Sequence, residues 1–264
     1  MTNNNLPTIN ALWIGSKLGL MASACLKSFI KHGHVVNLYT YQNITDIPNG
    51  INILDANDII DESRIFRHHK RGSYAPFSDV FRYNMLKVID NGIYVDCDVY
   101  CLKPMNIPEH GHLLGYENPS IISNAILALP QESELLDILI HLTNQPYFTP
   151  EWYSTYDKIR LKIKRLFGRA NTLGKMGWGV TGPSAVTYYT KQLQLTHLVQ
   201  EIDVLYPIQH HEAKQKLLDE KLKISDIISQ KSMCVHLYNE TLRGMDLDAI
   251  ADKCILSKML TNEI

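Results

Sequence analysis

Asn91-Gly92-Ile93-Tyr94-Val95-Asp96-Cys97-Asp98-Val99 passes from a turn signal through an apolar triplet to two carboxylates separated by one residue. Asn-Gly is turn chemistry and Ile-Tyr-Val is strand chemistry, so the stretch reads as a turn feeding a short buried strand. On an extended backbone successive side chains alternate faces. Asp96 and Asp98 are therefore expected to project the same way and to share one hard divalent cation through oxygen, and such an ion can hold a diphosphate. A solvated acidic loop is the alternative, and the surrounding sequence has to decide between them.

Upstream, apolar residues at Phe77, Phe81, Met85 and Val88 predict a helix over 77–89, following Pro76, with Ser78 able to cap its first turn. Asp79 and Arg82 stand at i and i+3, which sets a carboxylate beside a guanidinium on one turn. They are either an ordinary surface ion pair or part of a site. Asn91-Gly92 closes the helix, since both residues tolerate the left-handed conformation favoured just past a helix end. Helix, turn and strand thus bring Asp79, Arg82, Asp96 and Asp98 toward one crevice at the carboxyl ends of the strands, where open α/β sheets bind ligands.

Nearer the N-terminus, Ala11 to Ile14 and Val35 to Tyr39 read as strands flanking a helix from about Gly19 to Lys31, with a third strand at Ile51 to Leu54. Strand, helix and strand within roughly thirty residues form the βαβ signature of a parallel sheet. The expected class is α/β, in a single domain: 264 residues at 45% hydrophobic composition can bury one substantial core.

A formal net charge of −1 excludes a globally basic nucleic-acid binder. The segment MTNNNLPTIN lacks the basic start and apolar core of a secretory signal, and no stretch approaches the ~20 apolar residues of a membrane span. A cytoplasmic protein is expected. Five scattered cysteines (Cys25, Cys97, Cys101, Cys234, Cys254) suit reduced thiols, and Cys97-x3-Cys101 lacks zinc-ribbon spacing.

The run Phe77-Ser78-Asp79-Val80-Phe81-Arg82-Tyr83, then Leu86, then Asn91 to Asp98, resembles the S-D-x-x-R-x-x-x-L…G-G-x-Y-x-D-x-D block of the DXD-containing sugar-binding region of glycosyltransferases. That group includes bacterial polysaccharide and lipopolysaccharide glycosyltransferases, the yeast initiation mannosyltransferase and, more distantly, the large clostridial glucosylating toxins. Leu12-Trp13-Ile14-Gly15 looks like the family's opening strand, Cys25 to Phe29 like its first helix, and His34 to Tyr41 like the strand that receives the nucleotide. Trp178-Gly179-Val180-Thr181-Gly182-Pro183 and His236-Leu237-Tyr238-Asn239 also match. This chain has Asn91-Gly92 where the family often has two glycines, and Cys97 between the carboxylates with its side chain expected to face away.

The resemblance implies a GT-A fold, a Rossmann-like nucleotide-sugar domain with a mostly parallel sheet and helical elaborations. Residues 8–130 would bind donor and metal, 131–240 the acceptor, and 241–264 would form a C-terminal helix. It implies transfer from a nucleotide-sugar, a UDP-sugar above all, with retention of configuration and with Mn2+ or Mg2+ as cofactor. Asp96 and Asp98 would bind metal and donor, Asp79 and Arg82 the donor sugar, and Asn124 would lie near sugar and acceptor. Trp13, Ile14 and Gly15 would border the nucleotide.

Other positions have two readings each. In Met233 to Tyr238, alternation puts Cys234, His236 and Tyr238 on one face, so His236 is either a third metal ligand or a structural strand-end residue. Tyr39 and Tyr41 either stack on a base or finish the second strand. Gly182-Pro183-Ser184 reads as a helix start whose N–H groups could meet phosphate or sugar oxygens. Between Lys158 and Lys175, seven cations and no acid accompany Ile159, Ile163, Leu166 and Phe167 at helical spacing. This is either a solvated helix packed on the core or a basic amphipathic helix lying on the inner face of the cell membrane, with a lipid-linked saccharide as acceptor.

Rival classes are a phosphatase-type fold with an aspartyl nucleophile, a non-catalytic sugar-binding module, and a toxin-like transferase modifying a protein. The first would require a paired-acid motif after Asp98, for which Asp246-Leu247-Asp248 is a weak candidate. A complete Asp96/Asp98 pair argues against the second. The third predicts delivery segments that this sequence does not display.

Overall fold

The computed structural model describes residues 6–169, 171–250 and 252–264, with Asp248 described by its backbone alone. Parts of two sequence readings, the N-terminal segment and the basic segment that spans residue 170, therefore lie outside the described residues. In chain order the elements are β1 (Thr8–Trp13), α1 (Gly19–Lys31), β2 (Val36–Thr40), β3 (Ile51–Asp55), α2 (Ala75–Val88), β4 (Gly92–Val95), β5 (Val99–Cys101), β6 (Leu113–Asn118) and β7 (Ile121–Ala128). There follow α3 (Glu134–Asn144), α4 (Thr155–Leu166), α5 (Pro183–Gln192), α6 (Ile202–Leu205), α7 (Ala213–Leu218), β8 (Cys234–His236), α8 (Asn239–Leu242) and α9 (Ile255–Leu260).

Six strands form one sheet in the order β3-β2-β1-β4-β7-β6. The first four run parallel, and β7 is antiparallel to both of its neighbours. Strands β5 and β8 pair antiparallel as a separate ribbon. The expected α/β class with a mostly parallel sheet is what forms.

A parallel sheet needs both faces covered. On one face α1 packs Leu26 and Phe29 against Val36, Leu38 and Ile93. On the other, α2, α3 and α5 supply Phe77, Phe81, Leu86, Leu135, Leu139 and Val186. A third cluster joins the ribbon to the C-terminal helices through Tyr100, Val235, Leu256 and Met259. Register is pinned by a polar ladder that the apolar pattern conceals: Asn10, Asn37 and Asn52 stand in line on β1, β2 and β3. Asn37 Nδ2 donates to Asn10 Oδ1 at 3.0 Å and Asn52 Nδ2 to Asn37 Oδ1 at 3.1 Å. A one-residue slip would leave these amides unpaired, Asn10 in a fully buried position.

Two local expectations are corrected, and the left-handed turn expected at Asn91-Gly92 is located. Helix α2 begins at Ala75, so Ser78 lies inside it and is not its cap. Asn91, with φ of 46°, takes the left-handed turn, and Gly92 opens the strand in a space where a Cβ would fall 2.6 Å from Ile89 Cγ2. The described residues of 241–264 form no single helix: α8 ends at Leu242, Gly244 has φ of 81°, and α9 spans only Ile255–Leu260.

Candidate functional site

Strand β4 stops at Val95, and the N–H of Val99 bonds the carbonyl of Asp96 at 3.1 Å, so Asp96-Cys97-Asp98 is a turn. The alternation argument therefore does not apply to it. The turn still presents both carboxylates to one cavity, of about 720 Å³, over the carboxyl ends of β1 and β4. Cys97 points its thiol at the Leu12 carbonyl, 3.6 Å away.

Asp98 is held from the far end of the chain. Its Oδ1 lies 3.2 Å from Nε2 of His236, the last residue of β8, and its Oδ2 accepts the N–H of Asn239 at 2.9 Å. Its own carbonyl accepts the Leu237 N–H at 2.8 Å. The β5–β8 ribbon makes this meeting obligatory, because Val99 pairs with His236. Strand pairing ends there, and Tyr238 adopts φ of 51° with its ring 4.0 Å from that of His236. Asp96, Asp98 and His236 can each offer one ligand atom, all within 4.8 Å of one another.

Behind this edge lies a buried lattice. Arg82, only 3% exposed, reaches Asp96 Oδ1 at 3.0 Å and Asp79 Oδ1 at 3.6 Å. Its remaining donors go to the Ser78 carbonyl and hydroxyl and to the Asn124 carbonyl, and its guanidinium lies over the Tyr94 ring. Asp79 Oδ1 accepts from Asn124 Nδ2 and Oδ2 from Thr181 Oγ1, both at 2.8 Å. Asn124 also donates to the Tyr83 hydroxyl, which in turn donates to the Thr181 carbonyl. The surface-pair reading of Asp79 and Arg82 is thus replaced by a buried network.

Electrostatics separate the two groups. Burial works against the Arg82 charge, but Asp96 and its other neighbours outweigh it and hold the guanidinium above its ordinary value. Burial pushes Asp79 up, opposed by Arg82 and by its two hydrogen bonds. Asp96 is pushed up by burial, against Arg82, and further by the neighbouring Asp98 carboxylate. Burial raises Asp98 too, yet the His236 contact and the Asn239 N–H bring it below the carboxylate range. Burial favours neutral His236, and Asp98 overrides it upward. Three carboxylates face one guanidinium and one imidazole, and buried His236 Nδ1 has no hydrogen-bond partner. This surplus of negative charge on an oxygen-rich donor set fits a hard divalent cation.

Around the cavity the sequence-derived candidates divide. Trp13, Ile14 and Pro183 line it with Asp79, Arg82, Asn124, Asp96, Asp98 and His236, whereas Gly15 and Gly182 do not. Gly182 serves from behind, as a Cβ there would sit 2.8 Å from both Asp79 oxygens. Helix α5 does begin at Pro183. Tyr39 and Tyr41 are not brought to the cavity: Tyr39 packs edge-on against Phe81, and Tyr41 packs on Phe77 and donates to the Ile60 carbonyl at 2.8 Å. Sequence reasoning missed Ser78, Tyr83, Tyr94, Thr181, Asn239 and the cavity-lining Glu117 as site residues. Ser78 and Tyr83 had a signal, lying four residues from Arg82 and Asp79 on the same helix face. The others lie on separate elements.

Residues 22–118 match the family model described as the glycosyltransferase sugar-binding region containing the DXD motif. Those residues are a DXD-containing glycosyltransferase region. The matched segment holds Asp79, Arg82, Asp96 and Asp98 and ends before Asn124, Thr181 and His236. Among solved structures, the ligand-free glycosyltransferase domain of the YGT toxin is 9% identical with a TM-score of 0.51, over 75% of this chain and 80% of that one. Its UDP-bound form is 10% identical with a TM-score of 0.50 over the same shares. The apo form of mouse xyloside xylosyltransferase 1 is 12% identical with a TM-score of 0.44, over 87% of this chain and 96% of that one. No curated protein matches in sequence. The matched region is that of a DXD-containing glycosyltransferase, the chain has the GT-A fold of the YGT toxin domain, and no helix among its described residues is long and apolar enough to cross a membrane.

Proposed function

We propose that this glycosyltransferase moves a sugar from a UDP-sugar to a saccharide acceptor of bacterial surface polysaccharide or lipopolysaccharide, with a divalent cation and with retention of configuration. The observation that carries the reading is the convergence of Asp96, Asp98 and His236 within 4.8 Å at the edge of a cavity that also reaches Asp79 and Asn124. A bound Mn2+ or Mg2+ would supply charge neutralisation to the departing diphosphate. The UDP-bound state of the YGT toxin domain supports a uridine donor.

Each residue has a physical role in this reading. Asp96, Asp98 and His236 hold the cation. Asp79 uses one lone pair on each oxygen within the protein, and a carboxylate has about four acceptor sites, so it can still accept from a donor-sugar hydroxyl. Arg82 has most of its donors engaged internally and acts by holding Asp79 and Asp96 in place. The bond from the anomeric carbon to the diphosphate breaks and a bond to the acceptor oxygen forms on the same face. The acceptor proton passes to the leaving phosphate, which requires no enzymic nucleophile.

The test is release of nucleoside diphosphate from a panel of nucleotide-sugars with and without Mn2+, for the native protein and Asp98→Ala. Turnover of one UDP-sugar that requires the cation and falls roughly 1000-fold in the variant is expected, equivalent to about 4 kcal/mol of barrier. Absence of turnover together with absence of donor binding by calorimetry would sink the reading.

A further inference from the structure

Helix α4 faces the wrong way for a core helix. Tyr156, Ile159, Ile163 and Leu166 fall within about 80° of its circumference at roughly 100° per residue. An apolar stripe of that kind ordinarily packs inward. Here it faces solvent: Tyr156 is 74% exposed, Ile159 51%, Ile163 48% and Leu166 83%, with Phe167 just beyond the helix at 77%. The opposite side makes the contact with the protein, where Leu161 packs on the main core.

Cations frame the stripe. Arg160 and Lys162 project about 40° beyond its two edges on the same helical geometry. Lys158, Lys164, Arg165 and Arg169 complete a set of six in which, among the described residues, none forms an ion pair with a carboxylate. The positive surface continues past the helix. Arg165 lies over the Tyr147 ring at 5.2 Å, and Tyr147 lines a second cavity, of about 500 Å³, that carries Arg64, Arg67, His69 and Lys175 and no acidic residue. Leu173 borders both this cavity and the candidate active site.

We infer that α4 and the adjoining cationic surface form a docking face for an anionic phospholipid bilayer, with the apolar stripe entering the interface and the cations meeting the headgroups. The combination selects the occupant. A second copy of the chain in a two-fold pairing would set six cations against six. A polyanion such as nucleic acid would satisfy the cations but leave the stripe in water. A bilayer with acidic headgroups takes both. Docked this way, the face that borders the active-site cavity through Leu173 lies toward the membrane.

The inference is independent of the transfer reading, because its test measures partitioning and not turnover. The intact protein is mixed with vesicles of phosphatidylcholine, alone or with phosphatidylglycerol added, and the bound fraction is read by sedimentation. Strong binding only with phosphatidylglycerol, reversed by salt, is expected. Arg160→Glu with Lys162→Glu should weaken it by well over the roughly fivefold expected for one cation. Leu166→Ser with Phe167→Ser should weaken it at least tenfold with net charge and melting temperature unchanged, because both side chains are more than three-quarters exposed. Leu166→Trp should shift its emission to the blue on binding. Failure of the native protein to bind acidic vesicles, or equal binding by these variants, would overturn the inference. So would a concentration-dependent dimer abolished by Leu166→Ser, which would assign the face to a second copy.

Discussion

Asp79 and Asp98 are carboxylates in one cavity, yet they are stabilised in opposite ways. Around Asp79 every contact is supplied by the fold: Asn124, Thr181 and Arg82 are all buried, and the network closes on itself. Around Asp98 the fold supplies His236 and one backbone N–H, adds the repelling Asp96, and leaves His236 Nδ1 without a partner. The inner group is complete as folded. The outer group would be completed by the cation proposed above, and on that reading the division between a rigid cradle and an ion-binding edge lets the ion change the site without disturbing the core.

The strongest way to break this comparison is Arg82→Ala. It strands two carboxylates that share one buried guanidinium, so a loss of about 3–5 kcal/mol in stability is expected by urea unfolding. A loss below 1 kcal/mol would show that the inner network is not self-supporting. Next in size is the response to the cation. Adding Mn2+ at about 100 times its dissociation constant should stabilise the native protein by about 2.7 kcal/mol and leave Asp98→Ala unmoved. An equal rise in both proteins' melting temperatures would remove the distinction between inner and outer groups.

The smallest effect sharpens the contrast at a distance, because His34 is another buried group that the fold completes. Its Nδ1 bonds the Pro7 carbonyl at 2.9 Å and its Nε2 accepts the Met105 N–H at 3.0 Å, which requires the neutral ring. Burial lowers its proton affinity, against the Pro7 bond. The folded value is therefore below the unfolded value of about 6.5, so its contribution is full above that pH and is lost as pH falls through the folded value. Native melting temperature should drop more steeply than that of His34→Gln between about pH 7 and 5. Parallel curves would contradict it.

How much of this was legible in the sequence follows from the range of each interaction. Helix α1 and the βαβ order could be read because they depend on apolar spacing within a few turns. The cluster of Asp79, Arg82, Asp96 and Asp98 could be read because it spans twenty residues. The turn at Asp96-Cys97-Asp98 could not, since its backbone bond to Val99 leaves no trace in side-chain alternation. Thr181 is 102 residues from the Asp79 that it serves, beyond the reach of periodicity. Tyr39 and Tyr41 read ambiguously because an aromatic at a strand end has the same pattern whether it meets a ligand or, as here, Phe81 and Phe77.

The pairing of β5 with β8 also sets a timetable for the protein's synthesis. All six strands of the main sheet lie within residues 8–128, so the strands of the complete sheet are made while about half of the chain is still to come. Asp98 and His236 are 138 residues apart, roughly 7–28 s of translation at about 5–20 residues per second. During that interval Asp96 already has Arg82 beside it while Asp98 lacks His236 and the Asn239 N–H, so the three groups of the proposed ion site meet only when the closing segment arrives.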